Sequence, residues 1–141
     1  MVTLGSSQSR SIRAQGTLRF GGFFSGRRLD MMGSFDWRPN RFFAINLGYE
    51  QNEIDLPEGD FIVRIAQTRL DINFTPDLSW ITIVQWDSNS DVMGINSRVK
   101  WIIEPGQEIF FVVNQGFSTI ADSLEPLTTD ITLKVGLTIR F

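Results

Sequence analysis

Acidic side chains are the first candidates for chemistry in this sequence. The run DSNSD at residues 87–91 places oxygen ligands at alternate positions, as the start of a calcium-binding EF-hand loop does. Val92 stands where such a loop needs glycine, and Arg98 stands where it needs a bidentate glutamate. An ordinary polar loop is therefore the better interpretation of this run.

Carboxylate pairs such as Asp30 with Asp36, or Glu50 with Asp71, are the residue types that general acid–base catalysis uses. Arginines share the same polar strand faces, so a charge-neutralising network is the favoured interpretation of these pairs. The sequence has no histidine and no cysteine, which excludes His-based triads, cysteine nucleophiles and thiolate metal ligands. We therefore expect no enzymatic activity, no cofactor and no metal site.

Composition limits the class of protein further. The chain has 141 residues and a net charge of -3 without a basic cluster, so we expect one domain and no nucleic-acid partner. Its longest wholly apolar run is Ile109 to Val113, far below the roughly 20 residues of a membrane-spanning helix. A transmembrane helix is therefore not predicted.

Alternation of apolar and polar residues predicts β-strands along most of the chain. Residues 1–10 are expected to form a flexible N-terminal segment, and residues 11–141 a single barrel domain. Eight alternating runs begin near Ser11, Arg28, Phe42, Phe61, Trp80, Asn96, Ile109 and Thr129.

The connections between the runs alternate in expected length. Short turns are predicted at Pro39, Pro76 and Pro105. Longer loops are predicted near Gly22, Pro57, Asn89 and Ser123. This alternation is typical of an up-and-down barrel, in which all tight turns lie at one end.

The polar faces of the runs carry charges of both signs, which would neutralise one another inside a barrel. The expected lumen charge network is Arg13, Arg19, Arg28, Asp30, Asp36, Arg38, Glu50, Arg69, Asp71, Arg98, Lys100, Glu104, Asp130, Lys134 and Arg140.

Alternation alone fits both a soluble barrel with an apolar interior and a membrane barrel with an apolar exterior. Three features favour the membrane barrel: apolar faces long enough for tilted spanning strands, more large rings than eight strands can enclose, and aromatics near turns and termini. The expected aromatic girdle is Phe20, Trp37, Phe43, Phe74, Trp80 and Phe141.

The terminal strand carries a family resemblance. Leu133, Val135, Leu137, Ile139 and Phe141 alternate up to the last residue. This pattern resembles the carboxy-terminal assembly signal of bacterial outer-membrane β-barrels. The resemblance implies that the barrel-assembly machinery is a partner and that the bacterial outer membrane is the location.

A narrower resemblance lies in residues 96–116, NSRVKWIIEPGQEIFFVVNQG, followed by the terminal strand. These residues resemble the end of a family of large bacterial outer-membrane proteins of unassigned function, whose members carry a family-nine-like carbohydrate-binding module. Nothing in this sequence matches that module, so carbohydrate binding does not carry over. The resemblance implies a carboxy-terminal piece of a larger barrel protein.

Together these patterns predict an eight-stranded antiparallel up-and-down transmembrane β-barrel, monomeric in a lipid bilayer or detergent. Its lumen is expected to be filled by side chains, which favours a structural or anchoring role. Two alternatives stay open: a pore or transporter segment of a larger barrel, and a soluble lipocalin-like barrel that binds a small ligand.

Overall fold

The computed structural model describes residues 1–5, 11–23, 25–120 and 123–139, and within these ranges the protein is all-β. None of the described segments forms a helix that is long and apolar enough to cross a membrane. The strands are β1 (Val2–Gly5), β2 (Ile12–Phe23), β3 (Gly26–Trp37), β4 (Phe43–Leu56), β5 (Gly59–Thr75), β6 (Leu78–Asp87), β7 (Val92–Glu104), β8 (Gln107–Ser118) and β9 (Glu125–Leu137).

All nine strands belong to one sheet, and each strand pairs antiparallel with its neighbours in chain order. The prediction of an all-β, antiparallel, up-and-down arrangement is thereby confirmed. Over the described residues β9 pairs with β8 alone and β1 pairs with β2 alone, so the sheet is open. The ninth strand is β1, which lies in the segment expected to be flexible and pairs with Gln15–Leu18 of β2.

Short polar side chains shape the turns that the sequence places at Pro39 and Pro76. The side-chain oxygen of Asn40 accepts hydrogen bonds from the backbone N–H groups of Phe42 and Phe43, at 2.8 and 3.0 Å. The hydroxyl of Thr75 accepts from the N–H groups of Asp77 and Leu78, at 3.2 and 3.0 Å. Such local bonds replace the ladder hydrogen bonds that a chain reversal breaks.

Two of the four expected long loops are wrong. β2 continues to Phe23 and β3 begins at Gly26, while β4 continues to Leu56 and β5 begins at Gly59. The acidic segment 52–60 has the composition of a loop, but it forms the end of β4 and the start of β5, where Ile54 and Leu56 alternate with acidic residues and the ladder continues. The connections after β6 and β8 do lie outside the strands, over residues 88–91 and 119–124.

Candidate functional site

Direct cross-strand partners lie on the same face of a sheet, so the register shows which side chains share a face. Most apolar positions of the runs fall on one side, called here the apolar face, while Ile81, Phe110 and Val112 lie on the other side. The apolar face includes Ile12, Leu18, Phe20, Leu29, Phe35, Trp37, Phe43, Ile45, Leu47, Leu70, Ile72, Trp80, Val84, Trp86, Ile95, Val99, Trp101, Ile109, Phe111, Val113, Ile131, Leu133 and Val135.

The opposite side, called the polar face, holds the predicted network residues of the paired strands. These are Arg13, Arg19, Arg28, Asp30, Asp36, Glu50, Arg69, Asp71, Arg98, Lys100, Asp130 and Lys134. Arg38 follows the end of β3, and Glu104 lies beyond a register shift at the end of β7. Arg140 lies outside the described residues.

The polar face is the more enclosed of the two along β3 and β4. The exposed positions of these strands, such as Phe35, Trp37 and Leu47 at 37–40% exposure, all belong to the apolar face. Asp30, at 8% exposure, is the one buried residue of the described ranges, and it is acidic. The described residues contain no buried apolar core. In the middle of β5 and on β6 the exposed positions are instead Gln67, Arg69 and Gln85 of the polar face.

One row of direct partners, called the polar row, crosses the sheet on the polar face. It consists of Arg13, Asp36, Asn46, Arg69, Ile83, Asn96, Asn114 and Asp130. The side-chain amide of Asn46 donates to the Asp36 carboxylate, and that of Asn96 donates to Asn114. A basic side chain begins the row on β2 and an acidic one ends it on β9.

Charge pairing on the polar face is local. The guanidinium Nε of Arg28 lies 2.6 Å from Oδ1 of Asp30, and that of Arg69 lies 3.1 Å from Oδ2 of Asp71. A third, looser pair joins Lys100 to Glu108 at 3.9 Å. These contacts neutralise charges of opposite sign within β3, within β5 and between β7 and β8.

The apolar stretch of each strand shifts steadily across the sheet. The row of direct partners that begins at Ile12, the first residue of β2, ends at Ile131 in the middle of β9. On β2 the apolar stretch runs from Ile12 to Phe20, and on β9 it continues from Ile131 towards Ile139. Because β2 and β9 run in opposite directions, the row lies at one end of the apolar stretch on β2 and at the other end of the stretch on β9. Relative to the row, the stretch has shifted by eight residues over the seven steps from β2 to β9.

A shift of about one residue per strand is the geometry of a tilted band. One residue is roughly 3.3 Å along a strand and neighbouring strands are about 4.8 Å apart, so the strands tilt about 35° from the normal to this band. Barrel strands tilt by roughly 35–45°. The apolar positions therefore form a band that crosses the sheet at an angle to the strands.

Hydroxyl groups on the apolar face bond to one another. Trp80 donates its indole N–H to the Ser97 hydroxyl at 2.7 Å, and the hydroxyls of Thr82 and Ser97 lie 3.2 Å apart. Thr82 and Ser97 are direct cross-strand partners. These polar groups thus have protein partners and do not depend on water.

The structure brings together part of the expected aromatic girdle. Trp37 and Phe43 contact edge to face, with ring centroids 5.8 Å apart, and Trp80 lies in the same row as Phe43. Phe74 follows at the same end of the sheet, near the turn at Pro76.

Other aromatic positions differ from the prediction. Phe20 pairs with Leu29 near the β2–β3 connection and so lies at the opposite end of the sheet. Phe141 lies outside the described residues. Trp101, half exposed beside Leu78 and close to the Pro105 turn, belongs to the same end as Trp37 and was missed. Its spacing from Pro105 was the available signal.

The β4–β5 hairpin extends beyond the apolar stretch and reverses its polarity there. Past Tyr49 the positions of the apolar face on β4 become Gln51, Glu53 and Asp55, while Ile54 occupies the polar face. Asp55 pairs directly with Asp60 across the hairpin end. The pKa of Asp60 is raised, because its protonated carboxyl donates a hydrogen bond to the Asp55 side chain and because the negative charge of Asp55 disfavours a second charge there.

The residues expected to form an assembly signal lie along the outer edge of the sheet. Leu133, Val135, Leu137 and Ile139 are all more than half exposed on or just after β9. Because β9 has a partner on one side only, its other edge presents unpaired backbone groups. The fifth residue of the expected signal, Phe141, lies outside the described part of the chain.

No protein-family model matches this chain, and no curated protein is similar to it. The described ranges hold no group of three or more acidic side chains arranged to bind a metal ion. The function therefore has to be inferred from the two faces of the sheet.

Proposed function

We propose that this chain is an integral β-barrel of the bacterial outer membrane, with the apolar face towards lipid and the polar face lining a filled lumen. Its role is structural or anchoring, as a carboxy-terminal piece of a larger barrel protein. The observation that carries the proposal is the enclosure of the polar face on β3 and β4. In water such an arrangement would leave an apolar belt exposed, whereas lipid solvates it.

The dimensions of the apolar stretch support this proposal. From Ile131 to Ile139 the backbone advances about 26 Å, which at a tilt of about 35° covers roughly 22 Å along the barrel axis. This is close to the roughly 25 Å apolar band of outer-membrane barrels. On β8 the apolar stretch is shorter, from Ile109 to Val113, with Gln107 and Gln115 on either side of it on the same face.

The content of the lumen supports an anchoring role. Eight strands enclose only enough space for their own inward side chains. The polar row and the pairs Arg28–Asp30 and Arg69–Asp71 supply charges and amides that pair with one another. Barrel closure of β2–β9 therefore leaves no continuous aqueous path.

A pore in a larger barrel is the second candidate, because both edge strands have an unpaired side. Further strands inserted between β9 and β2 would widen the lumen, and the same polar face would then line a channel. A soluble lipocalin-like barrel has weaker support, since it would enclose the apolar face.

The free edge of β9 suits an encounter with the barrel-assembly machinery. Backbone groups along an unpaired strand can hydrogen-bond to a template strand, and alternating side chains give such pairing its specificity. We propose that Leu133, Val135, Leu137 and Ile139 are read in this way, with Phe141 completing the signal.

Face-specific labelling tests the orientation directly, because the chain contains no cysteine. Single cysteines replace Leu133 and its neighbour Thr132, and each carries a fluorophore in vesicles whose lipid chains are brominated. Bromine should quench the label strongly in Leu133→Cys and weakly in Thr132→Cys. Equal quenching of the two labels would contradict the proposed orientation, and a folded monomer in detergent-free buffer would contradict membrane insertion.

A further inference from the structure

The two ends of the sheet have complementary free edges. Strand directions alternate from β1 to β9, so β9 runs antiparallel to β2 and in the same direction as β1. If β9 approached β1, the two would form a parallel pair of at most four residues. An approach to β2 would instead give a long antiparallel ladder, the more stable kind of pairing.

The apolar stretches of β2 and β9 determine how such a ladder aligns. Ile12–Phe20 and Ile131–Ile139 have equal length and opposite direction, so one alignment places them side by side from end to end. In that alignment Ile131 lies opposite Phe20, eight residues from Ile12, where the row of direct partners began. This offset is the stagger of the closed barrel, and eight residues is also the stagger of the eight-stranded TIM barrel.

Neighbouring alignments are less favourable. Only even staggers keep the two faces on their own sides. A stagger of six lowers the strand tilt to about 27°, below the usual range of roughly 35–45°. A stagger of ten places Arg19 directly opposite Lys134, and like charges directly opposite are destabilising. A stagger of eight places Arg19 opposite Thr132 and Lys134 opposite Thr17.

β1 stands in the way of this closure. Val2–Gly5 occupies the edge of β2 from Gln15 to Leu18, with Thr3 directly opposite Thr17. Those four residues of β2 are the ones that residues 133–136 of β9 need. β1 and β9 therefore compete for the same backbone groups, and a closed barrel of β2–β9 requires β1 to leave.

We propose that β9 closes the barrel on β2 with a stagger of eight residues and displaces β1, which covers the β2 edge only in the open sheet. The partner of the β9 edge is thus a strand of the same chain. This inference rests on the proposed membrane barrel and adds the identity of its closing pair.

Disulfide trapping from one shared position tests the closure. Thr17→Cys is combined in turn with one of four second cysteines. Lys134→Cys reports a stagger of eight, Gly136→Cys a stagger of ten and Thr132→Cys a stagger of six. Thr3→Cys reports the open sheet. Direct partners have Cα atoms about 4.5–5.5 Å apart, within disulfide range. A slip of two residues adds roughly 6.6 Å along the strand, which puts the pair about 8 Å apart and beyond that range.

In vesicle-inserted protein, Thr17→Cys and Lys134→Cys should form an intramolecular disulfide. The other three pairs should form none. A dominant cross-link to Thr132→Cys or Gly136→Cys would contradict the stagger. A dominant cross-link to Thr3→Cys would show that β1 stays in place. Disulfide dimers in the double variants, beyond those of Thr17→Cys alone, would show that β9 pairs with a second copy, which also overturns the proposal.

Removal of residues 1–5 provides a second variant. If β1 is displaced on closure, the Thr17→Cys and Lys134→Cys disulfide forms equally well without it, and loss of that disulfide would refute displacement. Vesicle flotation is measured on every variant. A chain that does not float with lipid contradicts the membrane barrel itself, whereas one that floats without the expected cross-link contradicts only the closing pair.

Discussion

Arginine substitutions at Val135 and Ile131 give the sharpest test of the membrane interpretation. Both residues lie on β9, on the apolar face, with 62% and 65% of their surface exposed. They differ in position along the strand. Val135 pairs with Ile109 and is the middle residue of the stretch from Ile131 to Ile139, whereas Ile131 pairs with Val113 and is the first residue of that stretch. Each residue is therefore a matched control for the other.

The expected magnitudes follow from depth. A charged arginine on the lipid face of a barrel costs about 2–4 kcal/mol at the bilayer midplane and about 0–1 kcal/mol near the interfaces. We expect Val135→Arg to fall in the first range and Ile131→Arg in the second. In water both substitutions would be surface changes, with effects within about 0.5 kcal/mol of zero.

Reversible unfolding by guanidinium chloride in phospholipid vesicles measures both free energies. A difference of about 2 kcal/mol between the two variants corresponds to roughly thirtyfold in the unfolding equilibrium constant, which such a titration resolves. Equal destabilisation of the two variants, or a negligible effect of Val135→Arg, would refute the assignment of this face to lipid.

Three further outcomes are expected. Gly106→Ala should lower stability by about 1–3 kcal/mol, since Gly106 has a φ of 90° and an added Cβ would lie 2.9 Å from the Thr138 carbonyl oxygen. Gly94→Ala is its control, with nothing within 4 Å of the added Cβ, and equal losses would contradict the turn strain. Since the pKa of Asp60 is raised, the folded hairpin binds more protons than the unfolded chain, so pairing at this end should weaken as the pH rises from the ordinary value of 3.8 through the raised pKa. The pH dependence of amide hydrogen exchange at Gly59 measures this weakening. In Asp60→Asn that pH dependence should disappear, and its persistence would show that a group other than Asp60 causes it. The isolated chain should give no steady conductance in planar bilayers, and stable current steps would favour the pore alternative.

The alternating pattern of the sequence was sufficient to predict much of the fold. Period-two alternation assigns each side chain to one of two faces whatever the tertiary context, so the faces of β2, β6 and β9 could be predicted strand by strand. Turn residues such as Asn40 and Gly106 act through local backbone geometry, and the turns near them were therefore predictable as well.

Features that depend on which strands pair were not predictable. The acidic hairpin end near Pro57 was taken for a loop because its composition is polar, but its ladder depends on partners across the turn. Phe20 was grouped with Trp37 because each ends an alternating run, yet the register places them at opposite ends of the sheet. The strand β1 is too short to be recognised without its partner on β2.

The sequence by itself determined that every strand has one apolar and one polar face, because side-chain direction along a strand alternates whatever the strand touches. It could not determine which face is enclosed, since alternation is the same in a soluble barrel and a membrane barrel. Only the tertiary structure decided the register, which places the polar side chains around Asp30 beside those of β4. Enclosure depends on how neighbouring strands pair and curve together, and no single strand carries that information.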